Sequence, residues 1–234
     1  MKSKLLYVTD AYCCWCYGFS KTMAMVSQEF GDRLDIQVVN GGMIPRDLPL
    51  QTLFSSFADP VALHARISSM SGQVFGEAYL DQLRALSRSS RVVNSLVPAC
   101  AMQAMKSLTD ASDLQIFTEF QHAYYRDGMD LTSISTYRHL ALMFDVDPDA
   151  FELAFEKQKS DSAVKGELAL AKQLGVRGFP ALLLQDGSGY TAVANGFADF
   201  KAVKSALDRN LSQQTHAGVA ATASSCNIDG SGCS

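Results

Sequence analysis

The sequence predicts an α/β fold in which a small sheet domain carries an inserted, all-helical domain. Three observations predict it: a strand–helix–strand pattern at the start, a long block of helical periodicity in the middle, and a hairpin followed by a helix at the end. A sheet that begins, is interrupted by helices and then resumes is typical of one α/β domain with an insertion. We therefore expect a discontinuous sheet domain over 1–45 and 175–212, a helical insertion over 46–174 and a flexible tail over 213–234.

The start of the chain predicts a βαβ unit. The apolar run from Leu5 to Val8 is typical of a buried strand, and a second strand is predicted from Leu34 to Val39. Asn40-Gly41-Gly42 then signals a turn or bulge. Between the two strands a helix is indicated by apolar residues at helical spacing, namely Phe19, Met23, Val26 and Phe30.

From about Asp47 to Gly175 the apolar residues follow helical spacing. Asn94 and Ser95 are good N-cap residues, and Pro98 falls in the first turn of the helix they begin, where proline is tolerated. The stripes that mark further helices are Leu80, Leu83 and Leu86; Ala101, Met105 and Leu108; Ile116, Phe117 and Phe120; and Val164, Leu168 and Ala171. Helices are also predicted over 135–144 and 148–157.

After Gly175 the chain returns to strands. Apolar runs over 180–184 and 190–194 flank Asp186-Gly187-Ser188-Gly189, a pattern typical of a β-hairpin. A closing helix is predicted by the stripe of Phe200, Val203, Leu207 and Leu211. Beyond Ser212 the composition turns to Gln, Thr, Ala, Gly and Ser, which predicts the tail.

Composition narrows the class of function. The chain has 234 residues, 47% of them hydrophobic and 19% charged, with a net charge of −4. The hydrophobic fraction is too high for a disordered chain, and the charge gives no support to a nucleic-acid partner. No apolar run approaches the length of a membrane span, and Leu5 to Val8 is too short for a signal-peptide core. With Met1 as the native start, the expected location is the cytoplasm, where clustered cysteines are more often catalytic or metal-binding than structural.

The segment Cys13-Cys14-Trp15-Cys16 carries the chemistry. It places a C-x-x-C spacing between a predicted strand and a predicted helix, which is typical of a thioredoxin-like redox motif. Residues three apart at a helix start lie on one face, so the sulfurs of Cys13 and Cys16 can bond. The helix N-terminus favours a thiolate, so we expect a lowered pKa for Cys13, with Cys13 as the nucleophile and Cys16 as the resolving thiol.

The same four residues are compatible with two further roles. They could include a buried pair of small cysteines, or they could bind a metal through thiolates. A zinc site needs four ligands, and the chain has no second C-x-x-C pair, while its four histidines are scattered singly. We expect no metal. Cys14 is either a small filler or an auxiliary redox thiol, and Trp15 offers a large flat surface to a substrate.

Two motifs together resemble a known family. The stretch from Asp10 to Phe19, Asp-Ala-Tyr-Cys-Cys-Trp-Cys-Tyr-Gly-Phe, resembles the Asp-x-x-Cys-x-Trp-Cys-x-Gly-Phe stretch of cytosolic relatives of the DsbA family. The stretch from Gly175 to Ala181, Gly-Val-Arg-Gly-Phe-Pro-Ala, looks like the cis-proline segment of the same family. The resemblance spans 4–211 and is closest to the FrnE-like branch of thioredoxin-fold disulfide oxidoreductases and isomerases.

The resemblance implies roles for individual residues. Cys13 matches the nucleophile, Cys16 the resolving thiol and Pro180 the cis-proline that faces the disulfide. The backbone of Phe179 matches the edge that pairs with an extended substrate. The implied partners are protein or peptide thiols and disulfides. We expect no bound cofactor beyond the redox-active disulfide, with glutathione as a candidate co-substrate.

The chain departs from the family pattern at two positions. Cys14 stands where Ser or Pro is usual, and Phe179 is larger than the Thr or Val of the periplasmic member of the family. The alternative functions are a glutathione-dependent transferase or isomerase on the same fold, and a thiolate metal-binding module. The sequence does not fix the oligomeric state.

Three further features have two interpretations each, and a fourth has one. Cys226 and Cys233 are either incidental thiols or an auxiliary redox pair, which FrnE-like relatives can carry. Asp10 could relay protons to Cys16 or could act as a cap. A basic cluster could hold an anion such as glutathione or simply end a helix, and it consists of Arg84, Arg88 and Arg91. Cys100 is expected in the core.

Overall fold

A computed structural model describes residues 2–160, 162–187 and 189–222, without side chains at 160 and 214–222. The strands are β1 (Ser3–Thr9), β2 (Leu34–Asn40), β3 (Leu48–Pro49), β4 (Val92–Val93), β5 (Ala181–Asp186) and β6 (Gly189–Asn195). The helices are α1 (Cys14–Phe30), α2 (Leu50–Leu53), α3 (Pro60–Ser71), α4 (Glu77–Arg84), α5 (Leu96–Lys106), α6 (Asp113–Gln121), α7 (Ile134–Met143), α8 (Pro148–Ser160), α9 (Ala163–Gln173) and α10 (Phe200–Thr222). A 3-10 turn covers Leu86–Arg88, and α6 continues as π-helix over His122–Arg126.

Four strands form one mixed sheet in the order β2-β1-β5-β6. β1 pairs in parallel with β2, with Tyr7 opposite Val38, as expected for a βαβ unit. On its other edge β1 pairs antiparallel with β5, and β5 pairs antiparallel with β6 across the predicted hairpin turn. Because β1 is hydrogen-bonded on both sides, its C-terminal end holds the cysteine motif in a fixed position. The predicted α/β class with a helical insertion is confirmed.

Alternate residues of β1 face two layers of the core. Leu5 and Tyr7 pack into the main core, on the side of α1, whereas Leu6 and Val8 pack with Ala171 of α9. α9, which lies within the predicted insertion, therefore packs on the sheet as well as on α5. Helical periodicity shows that a helix has an apolar stripe, but it does not show which surface that stripe covers.

The insertion shares a continuous core with the main face of the sheet. The ring of Phe117 in α6 packs edge-on against Tyr7, with centroids 6.1 Å apart. α3 packs along α1, and Gly18 permits this approach because a Cβ there would lie 2.7 Å from Cγ2 of Ile67. The inserted helices thus lie directly against the helix that carries the cysteine motif.

Two further expectations need correction. The insertion is not entirely helical, since β3 and β4 pair as a short antiparallel ladder, and two-residue strands are too short to show an alternating pattern. The tail predicted over 213–234 is helical through Thr222, because α10 continues past 212 in a stretch free of proline and rich in Ala and Gln. Cys226 and Cys233 lie outside the described residues. Across the described ranges, no helix combines the length and apolarity needed to cross a bilayer.

His64 of α3 is buried in an aromatic cluster of the insertion. Its Nδ1 lies 2.6 Å from the carbonyl oxygen of Pro60, which can only accept, so Nδ1 carries the hydrogen. Nε2 is then free to accept the hydroxyl hydrogen of Tyr79 at 2.9 Å. Burial lowers the pKa of His64, so the folded protein holds this ring neutral.

This burial predicts a pH-dependent stability. Below about pH 6.5 the unfolded chain takes up a proton at His64 that the folded state refuses, so the free energy of unfolding should fall as pH decreases. Chemical denaturation at a series of pH values measures the slope. His64→Gln should flatten it, whereas the same change at the exposed His139 should leave it intact. Equal slopes in both variants, or a wild-type His64 ring that titrates normally by NMR, would contradict this assignment.

Candidate active site

The cysteine motif lies in a tight turn between β1 and α1. The N–H of Cys13 donates to the carbonyl of Asp10 at 3.1 Å, and the N–H of Tyr17 donates to the carbonyl of Cys13 to begin the helix. Cys13 has extended φ and ψ angles of −85° and 105° and occupies the N-cap position. The strand, the turn and the first helical turn therefore fix the backbone of Cys13 completely.

Cys13 and Cys16 are free thiols one helical turn apart. The N–H of Cys16 donates to Sγ of Cys13 at 3.2 Å, so the sulfur takes the capping place usually held by an oxygen. Cys13 is 6% exposed and Cys16 is 0% exposed. A reactant arriving from solvent therefore reaches Cys13 first, and Cys16 is covered by the helix and the core.

The pKa of Cys13 shifts in the direction opposite to the expectation. Burial raises the pKa of the Cys13 thiol, and the adjacent Cys16 sulfur adds to the rise, while the Cys16 N–H acts in the opposite direction. A helix N-terminus can be recognised in a sequence, whereas desolvation of the sulfur cannot, because its burial depends on the tertiary fold. In the reduced, unliganded protein the thiol form of Cys13 is therefore favoured.

Phe179 and Pro180 bring a distant part of the chain to Cys13. The Phe179–Pro180 peptide bond is cis. The carbonyl oxygen of Phe179 lies 3.8 Å from Sγ of Cys13, within reach of a weak S–H hydrogen bond. Behind them, the carbonyl of Pro180 accepts the N–H of Gly196, which ties this segment to the end of β6. The two motifs that the sequence singled out therefore meet at one sulfur atom.

Gly41 packs against the ring of Phe179, a contact that is not predicted from the sequence. A Cβ at Gly41 would collide with the Phe179 ring, so only glycine lets the ring lie flat on this turn. The N–H of Gly41 donates to the carbonyl of Thr9 at 2.7 Å, which holds the turn against the end of β1. Asn40-Gly41-Gly42 is recognisable in the sequence as a turn signal, but its contact with a residue so far away is decided by the fold.

Asp10 is buried and engaged by three donors. Oδ1 accepts the N–H of Tyr12 and the hydroxyl of Ser95, each at 3.0 Å, and Oδ2 accepts the N–H of Met43 at 2.7 Å. Burial raises the pKa of this carboxyl, and these hydrogen bonds oppose the rise. Because Cys13 holds the N-cap position of α1, Asp10 does not cap that helix. Its two oxygens are occupied by fixed donors, which favours a structural role in the turn over a proton relay.

The residues between the two reactive cysteines have distinct surroundings. Burial, with a smaller contribution from Cys13, raises the pKa of Cys14 to about 12. A thiol with that pKa is almost entirely protonated at neutral pH, which favours the filler interpretation over an auxiliary redox role. The ring of Trp15 lies 5.7 Å from that of Phe197, in the segment that follows β6. This ring contact holds Trp15 in place beside the reactive turn, the segment from Asp10 to Cys13 that joins β1 to α1.

The remaining sequence candidates lie away from Cys13. Arg84 forms ion pairs with Glu77 and Asp81, and Arg91 donates to the carbonyls of Gly128 and Met129, so two members of the basic cluster are already engaged. Cys100 lies in the core, and its Sγ is 3.7 Å from the carbonyl of Gln158. Among the residues that the structure describes, no three His, Cys, Asp or Glu side chains group in a way that could hold a metal ion.

The support that Gly41 gives to Phe179 can be tested by adding one methyl group. Gly41→Ala should displace the Phe179 ring and slow disulfide exchange at Cys13 by about tenfold to 100-fold, because the reacting groups lose alignment. Stopped-flow measurement of exchange gives the rate. Gly166→Ala on α9 is the matched control, since no atom lies within 4 Å of an added Cβ there.

A rescue variant separates this steric effect from general damage. In a Phe179→Val background the Gly41→Ala change should cost little, because the smaller side chain no longer occupies the space above residue 41. If Gly41→Ala slows exchange equally in both backgrounds, the proposed contact is wrong.

Known proteins share the fold that carries this candidate site. A family model described as a DSBA-like thioredoxin domain matches residues 4–208. No curated protein shows significant sequence similarity to the chain. Among solved structures, a proposed protein disulfide isomerase from Nitrosomonas europaea superposes with a TM-score of 0.74 at 22% identity, covering 91% of this chain and 99% of that one.

Two further solved structures share the fold. The cytosolic disulfide reductase DsbM from Pseudomonas aeruginosa superposes with a TM-score of 0.72 at 24% identity, covering 90% of this chain and 99% of its own. A 2-hydroxychromene-2-carboxylate isomerase superposes with a TM-score of 0.62 at 14% identity, covering 91% and 98%. At these identities the structures establish the fold, while the family model spans most of the chain. The chain belongs to the DSBA-like thioredoxin domain family of thiol–disulfide oxidoreductases.

Proposed function

We propose that this protein catalyses thiol–disulfide exchange through Cys13 and Cys16. The observation that carries the proposal is the position of Cys13 Sγ, which lies 3.2 Å from the N–H of Cys16 and 3.8 Å from the carbonyl of Phe179. The backbone N–H of the proposed resolving residue and the carbonyl of the proposed substrate-binding edge thus both lie against the sulfur of the proposed nucleophile.

The proposed reaction consists of two successive thiol–disulfide exchanges. The Cys13 thiolate attacks one sulfur of a substrate disulfide, forms a mixed disulfide and releases the other half of the substrate as a thiolate. Cys16 then loses its proton and attacks Cys13, forming the Cys13–Cys16 disulfide and releasing the second half. The substrate gains two electrons and the enzyme dithiol loses two, and the reverse sequence transfers a disulfide to a substrate.

Each neighbour of the motif has a defined part. The Cys16 N–H stabilises charge on Cys13 as the thiolate forms, which offsets part of the cost of burial. Pro180 and the backbone of Phe179 present an edge to an extended substrate, and Trp15 lines the cavity beside Cys13. Asp10 keeps the turn in place through its three hydrogen bonds and is a positioning residue.

Glutathione is the proposed thiol partner. DsbM, which shares this fold at 24% identity, has been solved with glutathione bound, and its name describes a cytosolic disulfide reductase. We propose that glutathione reduces the Cys13–Cys16 disulfide here by the same two-step exchange, which gives a cytoplasmic reductase a source of electrons. The direction of net flow follows the redox potential, for which about 30 mV corresponds to 1.4 kcal/mol.

A glutathione redox titration tests the proposed dithiol. Equilibration in mixtures of reduced and oxidised glutathione, followed by alkylation and mass analysis, should reveal one reversible Cys13–Cys16 disulfide. Cys16→Ser should instead accumulate a mixed disulfide with glutathione at Cys13, and Cys13→Ser should abolish exchange. Cys100→Ser replaces another buried cysteine and should leave the titration unchanged. Absence of a reversible Cys13–Cys16 disulfide in the wild type would refute the proposal.

A further inference from the structure

A cavity of about 380 Å³ opens beside Cys13. It lies between the reactive turn, the Phe179 loop and the segment that links α2 to α3. Cys13 lines this cavity and Cys16 does not. The volume falls within the range typical of small-molecule sites and is large enough for one ring-sized group with its substituents.

One wall of the cavity is apolar and comes from the insertion. Its members on this side are Leu53, Phe54, Phe57 and Leu63. Phe54 is buried and its ring lies 5.8 Å from that of His64, so it is anchored in the aromatic cluster of α3. Phe57 stands next to it at 6.0 Å but is 45% exposed, which leaves much of its ring available to a ligand.

Arg177 supplies a single positive charge to the lining of the cavity. It is exposed, it lies two residues before Phe179, and it lines the same cavity. The other lining side chains are apolar, aromatic or thiol groups, so Arg177 is the one cation among the described residues of this cavity. No ion pair with a described residue neutralises its guanidinium. A cavity lined by apolar side chains and one available cation is complementary to a ligand with a ring and one carboxylate.

We propose that this cavity is a substrate subsite for low-molecular-weight disulfides that carry an apolar, ring-sized group and one carboxylate. The ring packs against Phe57 and Phe54, the carboxylate pairs with Arg177, and the disulfide sulfur reaches Cys13. The proposal rests on the exchange chemistry of the proposed function and names the class of substrate that this chain selects. Phe57 and Arg177 are its specificity-determining residues.

The chemistry at the subsite is the two-step exchange. Cys13 attacks the ligand disulfide, forms a mixed disulfide and expels one aromatic thiolate. Cys16 then attacks Cys13 and expels the second thiolate, so the ligand disulfide is reduced by two electrons and the enzyme dithiol is oxidised. A single turnover of the reduced enzyme needs no other reactant.

Three probe disulfides separate the two contacts. Each half of dithiobis(nitrobenzoate) has an aromatic ring and a carboxylate, each half of dithiodipyridine has a ring without a carboxylate, and hydroxyethyl disulfide has neither. Single-turnover rates of the reduced enzyme are measured with each. Phe57→Ser should slow both aromatic probes by about tenfold, because it removes much of the apolar contact, and should spare hydroxyethyl disulfide. Arg177→Gln should slow only the carboxylate probe, by about threefold.

Matched controls show whether the effects belong to the cavity. Leu153→Ser replaces an apolar side chain of α8 that is 77% exposed, and it should change no rate. Arg209→Gln removes a charge from α10, where the guanidinium donates to the hydroxyl of Ser205 one turn away. This variant should also change no rate. Circular dichroism confirms that each variant is folded.

The outcomes distinguish this proposal from the one on which it rests. If the wild type reduces all three probes and forms the Cys13–Cys16 disulfide, but Phe57→Ser and Arg177→Gln slow every probe alike or none, the subsite is refuted while the exchange function stands. If no probe yields the Cys13–Cys16 disulfide, the exchange function itself fails. Selective loss in the predicted pattern supports both.

Discussion

A buried carboxylate connects the three parts of this protein that form the site. Asp10 accepts hydrogen bonds from Tyr12 in the reactive turn, from Met43 after β2 and from Ser95 at the start of α5. Burial of a carboxyl group is costly unless donors surround it, and here the donors come from the sheet domain and the insertion alike. The reactive turn, the loop below Phe179 and the insertion are therefore held in one arrangement, on which the cavity beside Cys13 also depends.

The reactive sulfur experiences two opposing influences. The N–H of Cys16 at the start of α1 favours a charged sulfur, whereas burial under the Phe179 loop favours a neutral one. Burial dominates, so the thiol form of Cys13 is favoured in the reduced protein. The cavity combines an apolar wall from the insertion with the cysteine turn and the positive charge of Arg177 from the sheet domain.

Local patterns predicted much of the fold. The strand at Leu5 to Val8, the helix that starts at the cysteines and the hairpin around Asp186-Gly189 were all visible, because short-range spacing reflects burial of one face. The layer position of α9 and the short β3–β4 ladder were not, because each depends on partners far away in the chain. The same limit applies to Gly41, whose side-chain-free surface matters only because Phe179 lies on it.

The sequence by itself determined the sheet class and the C-x-x-C spacing at the start of a helix, because residue type and spacing are preserved in local structure. The expectation that a distant Phe-Pro segment meets this motif came from the resemblance to a known family. Only the tertiary structure decided the pKa direction of Cys13, the engagement of Asp10 and the apolar cavity formed by Phe57 and its neighbours. Desolvation, hydrogen-bond partners and cavity shape are properties of atoms brought together by folding, and no local pattern in the chain records them.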